Sequence, residues 1–232
     1  NIRIICGRIS HAAIRAGRKP EDIKLIAVTK TISIQQIKEA IDAGLRIFGE
    51  NKVQEAREKI QDSRFKIQNS NIEWHLIGHL QKNKAKTAVE LFEMIHSIDS
   101  LELAEIADKY AEKAGKIQKI LLQVKLSDEI SKYGILKDNL FELVREISEM
   151  KNLRIEGLMT IPPFFENPEN ARPYFSELRT LRDTAEMMGF NLPELSMGMT
   201  NDFEVAIEEG ATMVRIGTAI FGERKYCHKE AQ

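Results

Sequence analysis

The chain has 232 residues, 43% of them hydrophobic, enough for one sizeable core in a single domain spanning 1–232. Its 34 basic and 35 acidic residues give a net charge of -1, so it carries no overall basic field that would argue for nucleic acid. No apolar run reaches membrane-span length and no signal peptide is evident. Cys6 and Cys227 lack metal-type spacing, and the default expectation is a cytoplasmic protein in a reducing compartment.

In chain order, a helical pattern over 2–16 comes first. The start at Asn1, without Met and inside that pattern, points to a short leader ahead of it. Lys24-Leu25-Ile26-Ala27-Val28-Thr29-Lys30 then reads as a buried parallel strand. Lys30 closes it, and a cation at that position is costly unless it finds a partner or loses its charge. Two readings of Lys30 stand side by side. It can snorkel to solvent, or it can serve as a desolvated, neutral amine that attacks a carbonyl to form a Schiff base.

The segment 33–43 has Ile34, Ile37, Ala40 and Ile41 at helical spacing, with Ser33 as a cap and Gly44 as a stop. Further strand-like runs follow at 46–50, 73–78, 94–99, 119–126, 154–160, 194–198 and 213–216. Helical patterns cover 138–150 and 169–188, with a short one over 202–209 ended by Gly210. Eight strand-like runs separated by helices predict an α/β fold, a (β/α)8 TIM barrel with an extra N-terminal helix. A doubly wound open sheet is the alternative, because a strand count does not establish closure. Ile161-Pro162-Pro163 reads as a barrel loop.

In such a barrel the functional face lies where strands end. Lys30, Gly49-Glu50-Asn51, Gly78-His79, Met159-Thr160, Ser196 to Thr200 and Gly217-Thr218 all fall there. The last two groups suit phosphate. Ser196, Thr200 and Thr218 offer hydroxyls, while Gly198 and Gly217 let backbone N–H groups approach an anion. The same glycines could serve only tight strand-to-helix turns. Asn51 could build the rim or act as an N-cap. Arg215 sits inside an apolar strand and needs a partner there, either a core carboxylate or a bound ligand. His75 reads as a satisfied core histidine and His79 as a surface one, with metal binding the weaker reading. Lys82, Lys84 and Lys86 read as a solvated face.

Five segments taken together resemble a known family. They are Ala27-Val28-Thr29-Lys30, Phe48-Gly49-Glu50-Asn51, Glu73-Trp74-His75-Leu76-Ile77-Gly78, Leu195-Ser196-Met197-Gly198-Met199-Thr200 and Val214 to Gly222. They look like the YggS/PROSC family, the pyridoxal phosphate homeostasis proteins, over nearly the whole chain. The resemblance implies an alanine-racemase-type barrel that holds pyridoxal 5′-phosphate as an aldimine on Lys30. It implies phosphate contacts from Ser196, Thr200, Gly217 and Thr218, with Arg215 at the pyridine nitrogen. Thr29 and Thr200 stand where the family usually has serine, and both keep the hydroxyl. Residues 127–134 resemble a family loop that contains Lys132, whose role the sequence leaves open.

An arginine beside the ring can only donate, so it favours the unprotonated pyridine, a weaker electron sink. Racemisation needs an acid/base on each face of the substrate carbon. In alanine racemases the opposing tyrosine comes from a second domain, and Tyr110, Tyr133, Tyr174 and Tyr226 do not fall at a predicted strand-end pocket. The expectation is a non-catalytic, monomeric carrier that supplies pyridoxal phosphate to PLP-dependent apo-enzymes. The alternatives are a fold-type III amino-acid racemase or related enzyme and, without the cofactor, a barrel aldolase using Lys30.

Overall fold

The protein is described by a computed structural model that covers residues 1–62, 71–127, 129 and 133–222. Nine strands occur among these residues: β1 (Lys24–Val28), β2 (Ile47–Glu50), β3 (Glu73–Leu76), β4 (Met94–Ile98), β5 (Gln118–Lys125), β6 (Ile135–Leu136), β7 (Leu153–Met159), β8 (Glu194–Ser196) and β9 (Met213–Ile216). Eight of them pair in parallel around a ring, in the order β1-β2-β3-β4-β5-β7-β8-β9. The ring is closed by β4–β5 on one side and β9–β1 on the other. That closure decides for the (β/α)8 barrel over the open sheet. β6 was not anticipated; it is a two-residue extension paired with β5 outside the ring.

The helices are α1 (Ile2–Arg15), α2 (Ile34–Asp42), α3 (Val53–Gln61), α4 (Ala85–Leu91), α5 (Leu101–Lys113), α6 (Leu140–Ser148), α7 (Arg172–Met187), α8 (Phe203–Glu208) and α9 (Thr218–Phe221). Ser33 caps α2 as its position predicts, and it forms a reciprocal capping box with Gln36. Among the described residues no helix is long and apolar enough to cross a membrane.

Strand alternation sorts the apolar side chains into two layers. Ala27, Phe48, Leu76, Ile95, Ile120, Leu122, Leu158, Leu195 and Val214 point outward into the main core beneath the helices. Ile26, Met94, Leu121, Met159 and Met213 point inward and plug the barrel. A parallel barrel is thus filled by side chains rather than hollow.

The leading helix has a structural task. Its buried face, Ile5, Ile9, Ala12 and Ala13, follows helical spacing, and α1 packs on α8. Arg8 donates to both Glu204 carboxylate oxygens at 3.2 and 3.0 Å and lies 4.7 Å over the Phe203 ring. Arg18 donates to the carbonyls of Ile207 and Ala211 at the far end of α8.

Several strands end earlier than their apolar runs. β8 stops at Ser196 because Gly198 turns the chain with φ +89°. A Cβ at Gly198 would sit 2.5 Å from the Ala206 Cβ and 2.9 Å from the Phe203 Cα. Backbone geometry and close approach to α8 therefore both require glycine. Gly198→Ala is expected to lower stability by about 1–3 kcal/mol, read as a lower urea midpoint at unchanged m-value.

Candidate functional site

The strand C-termini surround a cleft of about 340 Å³, lined by Val28, Asn51, Ile77, Gly78, Ile161, Pro163, Phe164, Met199, Thr200, Asn201, Asp202, Arg215, Gly217 and Thr218. Its size is that of a small-molecule site. Five residues expected from the sequence line it: Asn51, Thr200, Arg215, Gly217 and Thr218. Asn51 precedes Lys52, the residue at the N-cap of α3, so the cap role considered for it falls to its neighbour. Gly78 lies tight against the Asn51 backbone, where a Cβ would come within 2.3 Å of the Asn51 carbonyl oxygen.

The phosphate-type corner is built from two turns. One leads from β8 into α8, and Asp202 staples it by accepting the Met199 N–H at 2.6 Å. The other leads from β9 into α9 through Gly217, where a Cβ would come within 3.3 Å of Val28. The Ile220 and Phe221 N–H groups of α9 both donate to the Gly217 carbonyl, at 2.9 and 3.0 Å, which leaves the Thr218 and Ala219 N–H groups and the Thr218 hydroxyl at the start of the helix. One feature opposes an anion: the Asp202 carboxyl also lines the cleft. Burial pushes its pKa up, while the Met199 N–H and the nearby Arg215 charge pull it back down.

Arg215 is 3% exposed, and burial pushes its pKa down to about 10. No carboxylate pairs with it among the described residues. Its Nη1 donates to Ser196 Oγ at 2.6 Å and its Nη2 to the Thr160 carbonyl at 2.9 Å. Ser196 is fully buried with its hydroxyl between Arg215 and His96, whose Nδ1 lies 2.9 Å away, and it is absent from the cleft lining. The expectation of a Ser196 hydroxyl facing phosphate therefore meets a hydroxyl already engaged on two sides.

Lys30 follows β1 and is half-buried. Ile26 is in the barrel plug and Val28 lines the cleft. The Thr29 N–H continues the ladder to the Gly49 carbonyl at 3.0 Å, and Lys30 comes next, in the turn beyond the strand; it is not among the residues lining the cleft. Among the described residues it makes no ion pair. The strand stops short because Thr31 has φ +64°, a left-handed conformation unusual outside glycine.

That turn is braced from outside the barrel by residues the sequence reading did not single out. Lys59 on α3 is buried, and its Nζ donates to the Thr29 carbonyl at 2.6 Å, to Glu50 Oε1 at 2.6 Å and to Glu55 Oε1 at 2.8 Å. The Thr29 hydroxyl also donates to Glu50 Oε1 at 2.6 Å, and the Thr31 N–H donates to Glu55 Oε1 at 2.5 Å. The residues on either side of Lys30 are thus held by one charged cluster. Glu50, considered as a rim residue, points into this cluster with no exposed surface. Burial pushes its pKa up against the pull of Lys59.

His75 is buried, as its strand position suggests, with His96 Nε2 3.0 Å from its Nδ1. His96 was passed over in the sequence, yet it sits two residues after inward-facing Met94 and shares its phase. His79 stacks on Tyr133 at 3.6 Å between centroids, and its Nδ1 lies 3.6 Å from Asp99 Oδ2. His79 and Tyr133 line a smaller cavity that shares Ile77, Gly78 and Ile161 with the cleft. This corrects the expectation that no tyrosine reaches a strand-end pocket. The Tyr133 carbonyl accepts from Gln123 Nε2 at 3.0 Å, which ties Tyr133 to β5. Lys132, Tyr226 and Cys227 lie outside the described residues.

Removing the amine from the brace should leave the buried Glu50 charge unpaired. Lys59→Met is expected to cost about 3 kcal/mol near neutral pH. A folded-state pKa above the unfolded value means stability lost as pH rises, so the deficit should shrink toward acid, where Glu50 takes a proton. Urea denaturation of both proteins across pH measures this.

The family model for the alanine racemase N-terminal domain matches residues 8–225. A pyridoxal phosphate homeostasis protein of Aquifex aeolicus is 46% identical over 220 residues, covering 94% of this chain and 95% of the relative. PipY of Synechococcus elongatus, solved with PLP bound, superimposes with a TM-score of 0.81 at 39% identity, covering 94% of this chain and 100% of that one. Clostridium difficile alanine racemase aligns with a TM-score of 0.74 at 15% identity; it shares the barrel, and the match spans 57% of its length. Identity of this depth runs almost end to end through a closed barrel whose strand ends form a cleft, and the chain belongs to the pyridoxal phosphate homeostasis protein family.

Proposed function

We propose that the chain binds pyridoxal 5′-phosphate in the cleft, holds it reversibly on Lys30 and supplies it to other proteins without turning over a substrate. The observation that carries this reading is the convergence of Asn51, Thr200, Arg215, Gly217 and Thr218 on one small-molecule-sized cleft, whose lining also includes Val28 at the end of β1, two residues before Lys30. The relatives' names and the PLP-bound PipY structure support the same cofactor.

When bound, pyridoxal phosphate supplies an aldehyde that condenses reversibly with a primary amine. The chain's own residues divide the remaining work. Thr200, Thr218 and the backbone at Gly217 offer donors to the phosphate. Arg215 is still a cation at neutral pH, donates to whatever faces it in the cleft and cannot accept. It therefore favours an unprotonated ring and restrains carbanion chemistry. Phe164, Ile161 and Ile77 give the cleft its apolar wall. The brace formed by Lys59 and Glu55 holds the turn that presents Lys30.

A carrier must release as well as hold, and Asp202 in the cleft moderates the attraction for an anion. The apo-enzymes that accept the cofactor complete the proposal, with the carrier acting as a monomer.

Borohydride reduction of cofactor-loaded protein followed by peptide mapping should place a pyridoxyl group on Lys30. Lys30→Ala should lose the visible absorption band. A protein that stays colourless after incubation with pyridoxal phosphate would sink the proposal, and rapid α-deuterium exchange in a free amino acid would replace the carrier with an enzyme. Asp202→Asn keeps the acceptor for Met199 and removes the charge, so it should bind pyridoxal phosphate about fivefold more tightly near neutral pH. That advantage should fade in acid, where the wild-type carboxyl protonates; titration by absorbance across pH checks both.

A further inference from the structure

The barrel interior carries a charge and two histidines that cofactor binding does not by itself explain. Arg215 is buried with no carboxylate in ion-pair contact among the described residues; the Asp202 charge in the same cleft acts on it only at longer range, and the guanidinium disperses its charge through hydrogen bonds. Its contact through Ser196 continues to His96 at 2.9 Å and His75 at 3.0 Å. It ends where His75 Nε2 lies 3.5 Å from Glu73 Oε2, at the start of β3 and the opposite mouth of the barrel. Ser196, His96 and His75 are each no more than 2% exposed, whereas the Glu73 side chain is 54% exposed.

The donor directions follow from what each group can do. Arginine only donates, so Ser196 Oγ accepts from it. The Ser196 proton then has one acceptor among its contacts, His96 Nδ1; placing a proton on that nitrogen instead would orphan a buried hydroxyl hydrogen. His96 is held neutral by burial, reinforced by His75 and Arg215, so its single proton is on Nε2 and goes to His75 Nδ1. The His75 proton is then on Nε2, which makes no hydrogen bond among the described residues and faces the Glu73 carboxylate across 3.5 Å, an electrostatic contact rather than a lone-pair clash. Glu73 in turn has its pKa lowered by His75 first, then by Lys119 and Lys24, against desolvation.

We propose that Ser196, His96 and His75 form a one-way hydrogen-bond relay that positions Arg215 and couples it to Glu73 at the far mouth of the barrel. The relay and the Thr160 carbonyl each hold one terminal nitrogen of the guanidinium, which fixes its plane and leaves its other N–H donors for the cleft it lines. Ser196, His96 and His75 are positioning residues, and Glu73 is the remote counter-charge. The effect on the cofactor rests on the function proposed above; the relay itself does not.

Side-chain ¹⁵N NMR of the full chain without cofactor reads the relay directly. His96 should appear near neutral pH as a neutral ring protonated at Nε2 with the His75 Nδ1 as an acceptor, and Ser196→Ala should move the His96 Nδ1 signal. Glu73→Gln alters an exposed side chain far from the cleft, so the fold should tolerate it. It should shift both ring spectra and weaken pyridoxal phosphate binding about threefold, with Glu73→Asp restoring part of each effect. A His96 ring protonated at Nδ1, or an imidazolium on either ring near neutral pH, overturns the direction. A Glu73→Gln variant that changes neither the ring spectra nor the affinity overturns the coupling. A chain that binds no cofactor sinks the proposed function and leaves the ring tautomers to judge the relay.

Discussion

Parallel pairing around a closed ring is the constraint on which the rest of this molecule depends. Once β4 meets β5 and β9 meets β1, every strand runs the same way, and every strand end opens at one mouth. Residues that are 188 positions apart in the chain, such as Lys30 and Thr218, then share a rim. Closure also makes the strand phase decisive: one side of each strand meets helices and the other meets the barrel interior. Three methionines, Met94, Met159 and Met213, pack with Ile26 and Leu121 as the plug, side chains whose flexibility suits an interior bounded by strands of shifting register.

Two buried polar systems sit on opposite sides of this wall. Outside it, Lys59 joins Glu50, Glu55 and the Thr29 carbonyl and braces the turn around Lys30. Inside it, Arg215 anchors a line of hydrogen bonds that reaches His75. Both systems take charge out of water, and both offset that cost with close, directional partners. They also act on the same mouth, one on the turn that presents the amine and the other on the guanidinium that faces the cleft. Rigidity at those two points lets a small apolar-walled cleft have a defined polar pattern.

Much of this was legible in the chain. Apolar runs of strand length, each followed by a helix, specify the barrel's elements, and five of the seven expected site residues converge on the cleft. They were readable because strand ends combine glycine, hydroxyl and charge in short local segments. Ser196 belongs to one of these segments, yet its side chain faces the barrel interior because it is still in β8, one residue after outward-facing Leu195, and His96 and Arg215 engage its hydroxyl there. His96 and Lys59 escaped notice for the opposite reason. Each looks unremarkable in its own segment, and its partners are contributed by other elements. Tyr133 joins the rim beside β5, where its carbonyl accepts from Gln123, a partner ten residues away.

The sequence by itself determined the alternation of strands and helices, the phosphate-suited turns and the presence of an amine and a guanidinium at strand positions. These depend on local backbone preferences and on periodicity, both of which are properties of neighbouring residues. Only the tertiary structure decided that the sheet closes, that Glu50 turns away from the rim, and that Arg215 is held through Ser196 and the two histidines rather than by a carboxylate. Those outcomes depend on which strand phase faces inward and on which distant groups arrive within hydrogen-bond reach. The free energy of burying a charge is set by such long-range partners, which no single segment contains.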